Sequence, residues 1–249
     1  MASVTVGMLY PGYSAEDDYP RLESMLDSGV ALPVQHTKMV VDAHRIDALL
    51  DWGRADRLAA GARALEPQRL DSIVWACTSG SFCYGWRGAH TQAEALAKDA
   101  GVPASSTALA FVHAAHALGV SRVAVVATYP DEVAKLFAEF LTEGDIKVMD
   151  VSSHGIFTAA EVGTIGEQEL LAIATAGDMA SAQALLLPDT ALHTVQHLES
   201  LENELGKPVL TANQVSAWEG LRLAGYREPH DGLGMLFRYM DAGGGSWPE

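Results

Sequence analysis

Two segments of this chain repeat one order of predicted elements, and this repeat constrains the fold more than any other feature of the sequence. Residues 70–119 and 182–225 each contain a strand, a polar loop, a helix, a strand introduced by Gly-x-Pro and a second helix. The first parts correspond as LDSIVWACTSGSF and AQALLLPDTALH, and the later parts as AGVPASSTALAFVHAAHALG and LGKPVLTANQVSAWEGLRLAG. Such duplication predicts two lobes related by a pseudo-twofold axis, whose strand ends face each other across a cleft where parallel sheets bind ligands.

Short β-rich runs alternate with longer runs of helical period along the rest of the chain, which predicts an α/β fold with parallel sheets. Several strands are apolar on both faces, as expected when helices cover both sides of a sheet. Strands are predicted over Val4–Leu9, Gly29–Gln35, Ser72–Ala76, Arg122–Ala127, Lys147–Val151, Ala184–Leu187 and Pro208–Thr211. Helices are predicted over Ala15–Leu26, Ile46–Leu65, His90–Ala100, Thr107–Leu118, Pro130–Glu143, Gly166–Ala176, Thr190–Leu205 and Val215–Leu223.

We therefore expect two pseudo-twofold-related lobes, each a parallel sheet flanked by helices, with the active site in the cleft between them. Lobe 1 is predicted to comprise residues 1–105 with 214–249, and lobe 2 residues 106–213. Ser14 followed by Asp17 predicts a capping box at the start of the first helix. The Gly-rich end of the chain, Asp241–Glu249, is predicted to be a frayed tail.

Composition excludes several classes of protein. A hydrophobic content of 49% with 19% charged residues excludes a disordered chain. Thirty-two acidic and 16 basic residues give a formal charge of −16, a field that repels nucleic acid. No apolar run reaches the ~18 residues of a membrane span, and the first residues lack a signal-peptide pattern. Two cysteines cannot form a disulfide framework, so a cytoplasmic location is expected.

Cys77 is the first polar residue after the apolar strand of the first repeat, and it precedes the small polar loop Thr78–Ser81. The N–H groups and hydroxyls of such a loop can hold a carboxylate or an enolate oxygen. The same donors favour thiolate over thiol, which predicts an activated nucleophile at Cys77. The alternative is a buried structural cysteine at a strand end. Cys83, which lies among aromatic residues, is expected to contribute packing.

Asp189 occupies the equivalent position in the second repeat, at the end of LLLPD. A carboxyl group at the end of a buried strand is partly desolvated, which suits it to acid–base chemistry. The alternative is a simple helix cap, because Asp before Thr190 is an ordinary N-cap. The repeat favours the chemical role, since it places Asp189 opposite Cys77.

Two further polar residues follow strands. Tyr129 comes after Arg122–Ala127, and its phenol can donate to a substrate carboxylate, unless Thr128 caps the next helix and Tyr129 packs behind it. Asn213 ends the run VLTAN and offers either a hydrogen-bonding side chain for substrate or a helix cap.

The histidines do not predict a metal site. His193 and His197 are four residues apart on a predicted helix, and His113 and His116 are three apart, but neither pair has a third ligand at a familiar spacing. The sequence also contains no P-loop, no GxGxxG after the first strand and no G-x-S-x-G nucleophile elbow.

Together, ACTSGSF, VATYP and GKPVLTANQVSAWEGLRLAG resemble the maleate cis–trans isomerase and arylmalonate decarboxylase group of the Asp/Glu racemase superfamily. The resemblance runs from VGMLYPG to the last helix. It implies two similar α/β lobes, one catalytic residue from each lobe (usually cysteine), no cofactor, and assembly as a homo-oligomer. It maps oxyanion donors onto Thr78, Ser79 and Tyr129. The remaining positions expected to bind substrate are Gly80, Tyr13, Ser14, Thr190 and Asn213.

The chain departs from both branches of this group. The first-lobe cysteine of the isomerases is present as Cys77, and the decarboxylases lack it. The second-lobe cysteine is replaced by Asp189. The first loop, where the isomerases carry an asparagine, reads Pro11-Gly12-Tyr13-Ser14.

Charge repulsion between Cys77 and Asp189 predicts that the pair shares one proton. In the preferred interpretation the Cys77 thiolate attacks an electron-poor alkene and protonated Asp189 acts as the acid, which isomerises a maleate-like small carboxylate. Alternatively, an enediolate is stabilised during decarboxylation or racemisation, or the scaffold binds a small carboxylate without turnover. A substrate with an amide or amine near Asp189 is a further alternative.

Overall fold

Two parallel β-sheets form the centre of the fold, one in each lobe. The computed structural model describes residues 4–12 and 14–240. Within these ranges the strands are β1 Val4–Tyr10, β2 Val30–Ala31, β3 Val34–His36, β4 Ser72–Trp75, β5 Ala104–Ser106, β6 Arg122–Ala127, β7 Lys147–Ser153, β8 Ala184–Leu187 and β9 Val209–Thr211. The helices are α1 Asp18–Met25, α2 Ile46–Trp52, α3 Ala55–Leu65, α4 Ser79–Phe82, α5 Gly85–Ala100, α6 Thr107–Ala117, α7 Asp131–Glu143, α8 Ala159–Val162, α9 Glu167–Gly177, α10 Leu198–Leu205, α11 Ala212–Leu223 and α12 Gly234–Arg238. Two 3₁₀ turns cover Glu66–Gln68 and Val195–His197.

The two sheets have the same strand order. Sheet 1 is β2-β1-β4-β5, with β3 also paired to β1, and sheet 2 is β7-β6-β8-β9. All of these pairings are parallel. Strands β4 and β8 occupy equivalent interior positions, and every residue of both is buried. The predicted two-lobed α/β fold is therefore confirmed, and β4 and β8 carry the repeated site positions at their carboxyl ends.

The second helix of each repeat joins the lobes. Helix α11 follows the last strand of sheet 2 but packs on sheet 1, where Ser72 Oγ donates to the Gly220 carbonyl at 2.6 Å. A side chain at Gly220 would collide with Val6, so glycine permits this close approach. Helices α6 and α11 pack together, and the hydroxyls of Thr107 and Ser216 lie 2.6 Å apart. The predicted lobe boundaries stay a prediction.

Two predicted elements are each divided in the structure. The strand predicted over Gly29–Gln35 is split into β2 and β3 around Pro33, which has no N–H to donate to a neighbouring strand. The helix predicted over Ile46–Leu65 breaks between Trp52 and Ala55. At the break, a Cβ on Gly53 would collide with the Gly80 carbonyl oxygen, so this close approach requires glycine.

Two predictions near the second repeat and the first loop are wrong. The helix predicted over Thr190–Leu205 begins at Leu198, after a loop and a 3₁₀ turn. Two N–H groups before the helix are bound by lobe 1 instead, since Thr194 and Val195 donate to the buried carboxylate of Asp18. The Ser14 hydroxyl does not cap α1, because it donates to carbonyl groups of lobe 2.

Smaller differences concern element ends. The helix predicted from His90 begins at Gly85, and the helix predicted from Val215 begins at Ala212, where Thr211 and Gln214 form a capping box. In the described part of the chain, no helix combines the length and hydropathy that crossing a membrane requires. The predicted tail Asp241–Glu249 lies outside the described residues.

Candidate active site

A closed cavity lies where the ends of β1, β4 and β8 meet between the lobes. Its volume is about 20 Å³, room for about one water molecule. Five of the predicted site residues line it, namely Ser14, Cys77, Ser79, Asp189 and Thr190. Apolar or aromatic groups of Tyr10, Pro11, Met39 and Trp52 complete much of the wall. None of the described residues that line the cavity is Lys or Arg.

The structure brings Cys77 and Asp189 to one cavity. Each follows an equivalent strand, β4 for Cys77 and β8 for Asp189, and both side chains are almost wholly buried. Their electrostatic interaction contributes to the raised pKa of the Cys77 thiol. The repeat therefore predicted this meeting of two side chains that lie more than a hundred residues apart.

The Cys77 sulfur is held as a thiol. The Gly80 N–H donates to Sγ at 3.3 Å, and Ser79 Oγ lies 3.9 Å from it. Burial raises the pKa of the thiol to about 12, although these two donors lower it. The donors act in the expected direction, but burial has the larger effect and favours the thiol, so the activation of Cys77 stays a prediction.

The carboxylate of Asp189 is fixed by two donors. The Ala191 N–H donates to Oδ1 at 2.9 Å, and the Thr128 hydroxyl makes a short hydrogen bond to Oδ2. A helix cap, the alternative role, is wrong because residues 190–194 form a loop rather than a helix. Thr128, whose alternative role was to cap the next helix, binds the proposed acid–base residue.

The predicted oxyanion donors Thr78 and Tyr129 differ in the hydrogen-bond partners of their hydroxyl groups. Thr78 is fully buried, and its Oγ1 has no hydrogen-bond partner of good geometry, although it lies close enough to Tyr129 to affect the pKa of that phenol. The Tyr129 hydroxyl donates to the Pro188 carbonyl at 2.9 Å and is committed to the backbone beside Asp189. Neither residue belongs to the described cavity wall, and Thr78 has the less committed hydroxyl of the two.

Replacing Thr78 with valine tests this assignment. An unpaired buried hydroxyl costs about 1–3 kcal/mol of desolvation, so Thr78→Val is expected to leave the free energy of unfolding unchanged or to raise it. The same change should weaken binding of a small carboxylate by about tenfold, because one charge-assisted hydrogen bond is lost. Urea unfolding and calorimetric titration measure the two effects. A loss of stability with unchanged binding would assign Thr78 a purely structural role.

Asn213 does not line the cavity, contrary to its predicted role in substrate binding. Its amide donates to Asp18 Oδ2 at 3.0 Å and to the Thr190 carbonyl at 3.1 Å, and its Oδ1 accepts from the Tyr19 hydroxyl at 3.2 Å. All of its polar atoms are therefore used to hold α1 against the loop after β8.

The other predicted binding positions are placed as follows. Ser14 Oγ donates to the Ala159 and Ala191 carbonyls, both at 3.1 Å, so it ties the first loop to lobe 2. Gly80 contributes its N–H to Cys77 rather than a wall of the cavity. Thr190 lines the cavity, and its carbonyl accepts from the Tyr10 hydroxyl. Tyr13 lies outside the described residues.

His44 also lines the cavity, although no sequence pattern identified it as a site residue. It lies in the segment between β3 and α2, which has no counterpart in the repeat. Its side chain is 2% exposed, and its Nε2 lies 3.8 Å from Asp189 Oδ2. Its ring meets the ring of Tyr129 edge-on, with the centroids 5.0 Å apart.

The segment that carries His44 closes the cavity against lobe 2. The Asp42 carboxylate accepts from the N–H groups of Ala159 and Ala160 at 2.8 and 3.1 Å, and the His44 N–H donates to the Phe157 carbonyl at 2.7 Å. Because the volume is only about 20 Å³, we expect a four-carbon acid to enter when contacts of this kind separate.

One histidine of each predicted pair lies against a carboxylate. His193 Nε2 is 2.9 Å from Asp17 Oδ1, and His113 Nδ1 is 2.8 Å from Glu219 Oε1. Among residues 4–12 and 14–240, no three His, Cys, Asp or Glu side chains are grouped so as to hold a metal ion.

Comparison with known proteins gives a family. The model of the arylmalonate decarboxylase family matches residues 52–237. The chain is 27% identical over 248 residues to the arylmalonate decarboxylase of Bordetella bronchiseptica, which covers 94% of this chain and 96% of that protein. It is 27% identical over 165 residues to a maleate isomerase of Geobacillus stearothermophilus, which covers 64% of this chain and 65% of that protein.

A solved structure of the Nocardia farcinica maleate cis–trans isomerase, a Cys-to-Ser mutant with a covalently bound succinylcysteine intermediate, has the same fold. It superimposes with a TM-score of 0.85 at 23% identity, over 95% of this chain and 99% of that one. The family model spans about three quarters of the chain, and the fold agrees over nearly all of it. The chain therefore belongs to the arylmalonate decarboxylase family.

Proposed function

We propose that this protein is a cofactor-independent isomerase of a small, maleate-like carboxylic acid, with Cys77 as the nucleophile and Asp189 as the acid–base residue. One observation carries the proposal, namely that a thiol and a carboxylate from equivalent strands of the two lobes line one closed cavity. A cavity between lobes that contains a cysteine and hydroxyl groups suits addition to an electron-poor alkene.

Relatives support the covalent chemistry. The Nocardia farcinica isomerase is described with a succinylcysteine intermediate, which is an adduct of a cysteine sulfur. The presence of Cys77 after β4 gives this chain a thiol for the same kind of step. Family membership supports an isomerase or a decarboxylase, and Cys77 favours the former.

The proposed reaction begins with the proton on sulfur. As substrate enters, the Cys77 proton moves to the base of the site, of which Asp189 is part, and the sulfur electron pair forms an S–C bond to the alkene. The π electrons move to the adjacent carbon and its carboxyl group, where hydroxyls of Thr78 and Ser79 stabilise the negative charge. Rotation about the new single bond and loss of the thiolate give the trans alkene. The proton then returns to sulfur, so no proton is consumed.

The test is a set of reactions in D₂O followed by ¹H NMR. With maleate, we expect fumarate to accumulate without incorporation of deuterium. Release of CO₂ from an arylmalonate without isomerisation of maleate would assign a lyase. Exchange of the α-hydrogen of a chiral carboxylic acid would assign a racemase. Binding of these acids without turnover would assign a non-catalytic carboxylate-binding protein.

A lyase or racemase is the second candidate, and two observations favour it. Burial holds Cys77 as a thiol with a pKa of about 12, which suits a proton donor to an enediolate. The described wall also has no Lys or Arg to receive the second carboxylate of a dianion. A substrate that carries one negative charge during proton transfer suits this wall better than a dianion does.

A further inference from the structure

The two ring nitrogens of His44 have different partners. Nδ1 is hydrogen-bonded to the backbone, and Nε2 faces Asp189. Its Nδ1 lies 2.9 Å from the Ile156 carbonyl oxygen. A carbonyl oxygen can only accept, so Nδ1 carries the hydrogen of this bond. In the neutral ring the lone pair is therefore on Nε2, the nitrogen that lies 3.8 Å from Asp189 Oδ2.

The lone pair of His44 Nε2 and a carboxylate oxygen of Asp189 face each other in a buried site. Burial removes water from both groups, since the His44 and Asp189 side chains are 2% and 4% exposed. Asp189 already accepts from Thr128 and Ala191, so its carboxylate is fixed in direction. The geometry therefore provides one place for an additional proton, on Nε2.

The two aromatic neighbours of His44 contact the edge or face of its ring, and Nε2 faces Asp189. Tyr129 and Trp52 meet the ring edge-on, with centroids 5.0 and 6.3 Å away, and the Tyr129 hydroxyl is bound to Pro188. Among the described residues that line the cavity, His44 is the one side chain able to become a cation. Cys77 is the group there with a proton to give.

We propose that His44 is the proton-carrying partner of Asp189, so that the base of this site is an aspartate–histidine pair rather than a lone carboxylate. The S–H bond of Cys77 breaks as sulfur attacks carbon, and an N–H bond forms on Nε2. When the thiolate leaves, the same proton returns to sulfur. This inference rests on the proposed function, because it takes the cavity as the place of reaction.

The test uses a carbon electrophile that is independent of the natural substrate. Iodoacetamide alkylates a thiol with formation of an S–C bond, loss of iodide and release of the thiol proton. Burial raises the pKa of both Cys77 and Cys83 to about 12, so Cys83 is a matched internal control outside the cavity. Peptide mass spectrometry of the full-length protein gives the two rates separately.

In His44→Gln, alkylation of Cys77 is expected to slow by about a hundredfold, the lower end of the range for general acid–base catalysis, while Cys83 keeps its rate. His44→Asn should behave in the same way, although its amide can still donate to Ile156. His154→Asn is the matched histidine control, because His154 is exposed on the neighbouring segment. It should change neither rate.

Other outcomes overturn the proposal. An unchanged Cys77 rate in both variants would show that His44 takes no proton. A faster Cys77 rate, or an equal change at both cysteines, would show that His44 only holds the cavity closed. If the expected contrast appears but wild-type protein turns over none of the acids, the aspartate–histidine pair stands and the proposed reaction fails.

Discussion

Replacing Cys77 with alanine is expected to lower turnover by about three orders of magnitude or more, the scale seen when a covalent nucleophile is removed. The sulfur is the atom that bonds to carbon in the proposed isomerisation and the proton donor in the alternative, so neither route survives its loss. Steady-state rates with the acid that wild-type protein converts fastest measure the effect.

The matched control is Cys83→Ala. Cys83 is half-buried and outside the described cavity wall, so its loss should leave turnover within a factor of two or three. Circular dichroism and thermal unfolding should show that both variants fold. Binding without turnover in Cys77→Ala is the expected pattern for an enzyme, whereas wild-type turnover in that variant would contradict a catalytic role for the thiol.

The fold could be predicted because the strongest signals were local and repeated. β6 and β8 have the predicted bounds, and the end of β4 differs by one residue. The equivalence of Cys77 and Asp189 followed from the repeat, and their meeting followed because parallel sheets of two facing lobes bind ligands at the carboxyl ends of their strands. Chemistry at the ends of repeated strands is therefore open to prediction from sequence.

The features that were missed depend on contacts between distant segments. The loop after Asp189 stays non-helical because Asp18 and Asn213, far away in sequence, bind its backbone groups. The Thr128–Asp189 bond joins the ends of two neighbouring strands of sheet 2, and the position of His44 near Asp189 depends on packing of one lobe against the other. Desolvation likewise depends on the assembled fold, so its effect on the pKa of Cys77 could not be derived from the local sequence.

Replacing Asp189 with asparagine is expected to have two opposite effects. Turnover should fall by about 10²–10⁴-fold, because the base that receives the Cys77 proton loses its carboxylate. Binding of succinate, a dicarboxylate that cannot react, should become about tenfold tighter, or ~1.4 kcal/mol, because a buried like charge no longer repels it. Asparagine keeps the shape of the side chain and can still accept from the Ala191 N–H.

The comparison that isolates charge is between succinate and a monocarboxylate such as propionate. Since repulsion grows with ligand charge, Asp189→Asn should improve succinate binding more than propionate binding, as measured by calorimetric titration. Asp17→Asn is the matched control, because that carboxylate is 58% exposed and paired with His193. Equal changes for both acids would mean that Asp189 does not repel a second carboxylate. Full turnover in Asp189→Asn would mean that Asp189 does not move a proton. The tighter binding of a dianion to an inactive variant is an outcome that a purely structural role for Asp189 does not produce.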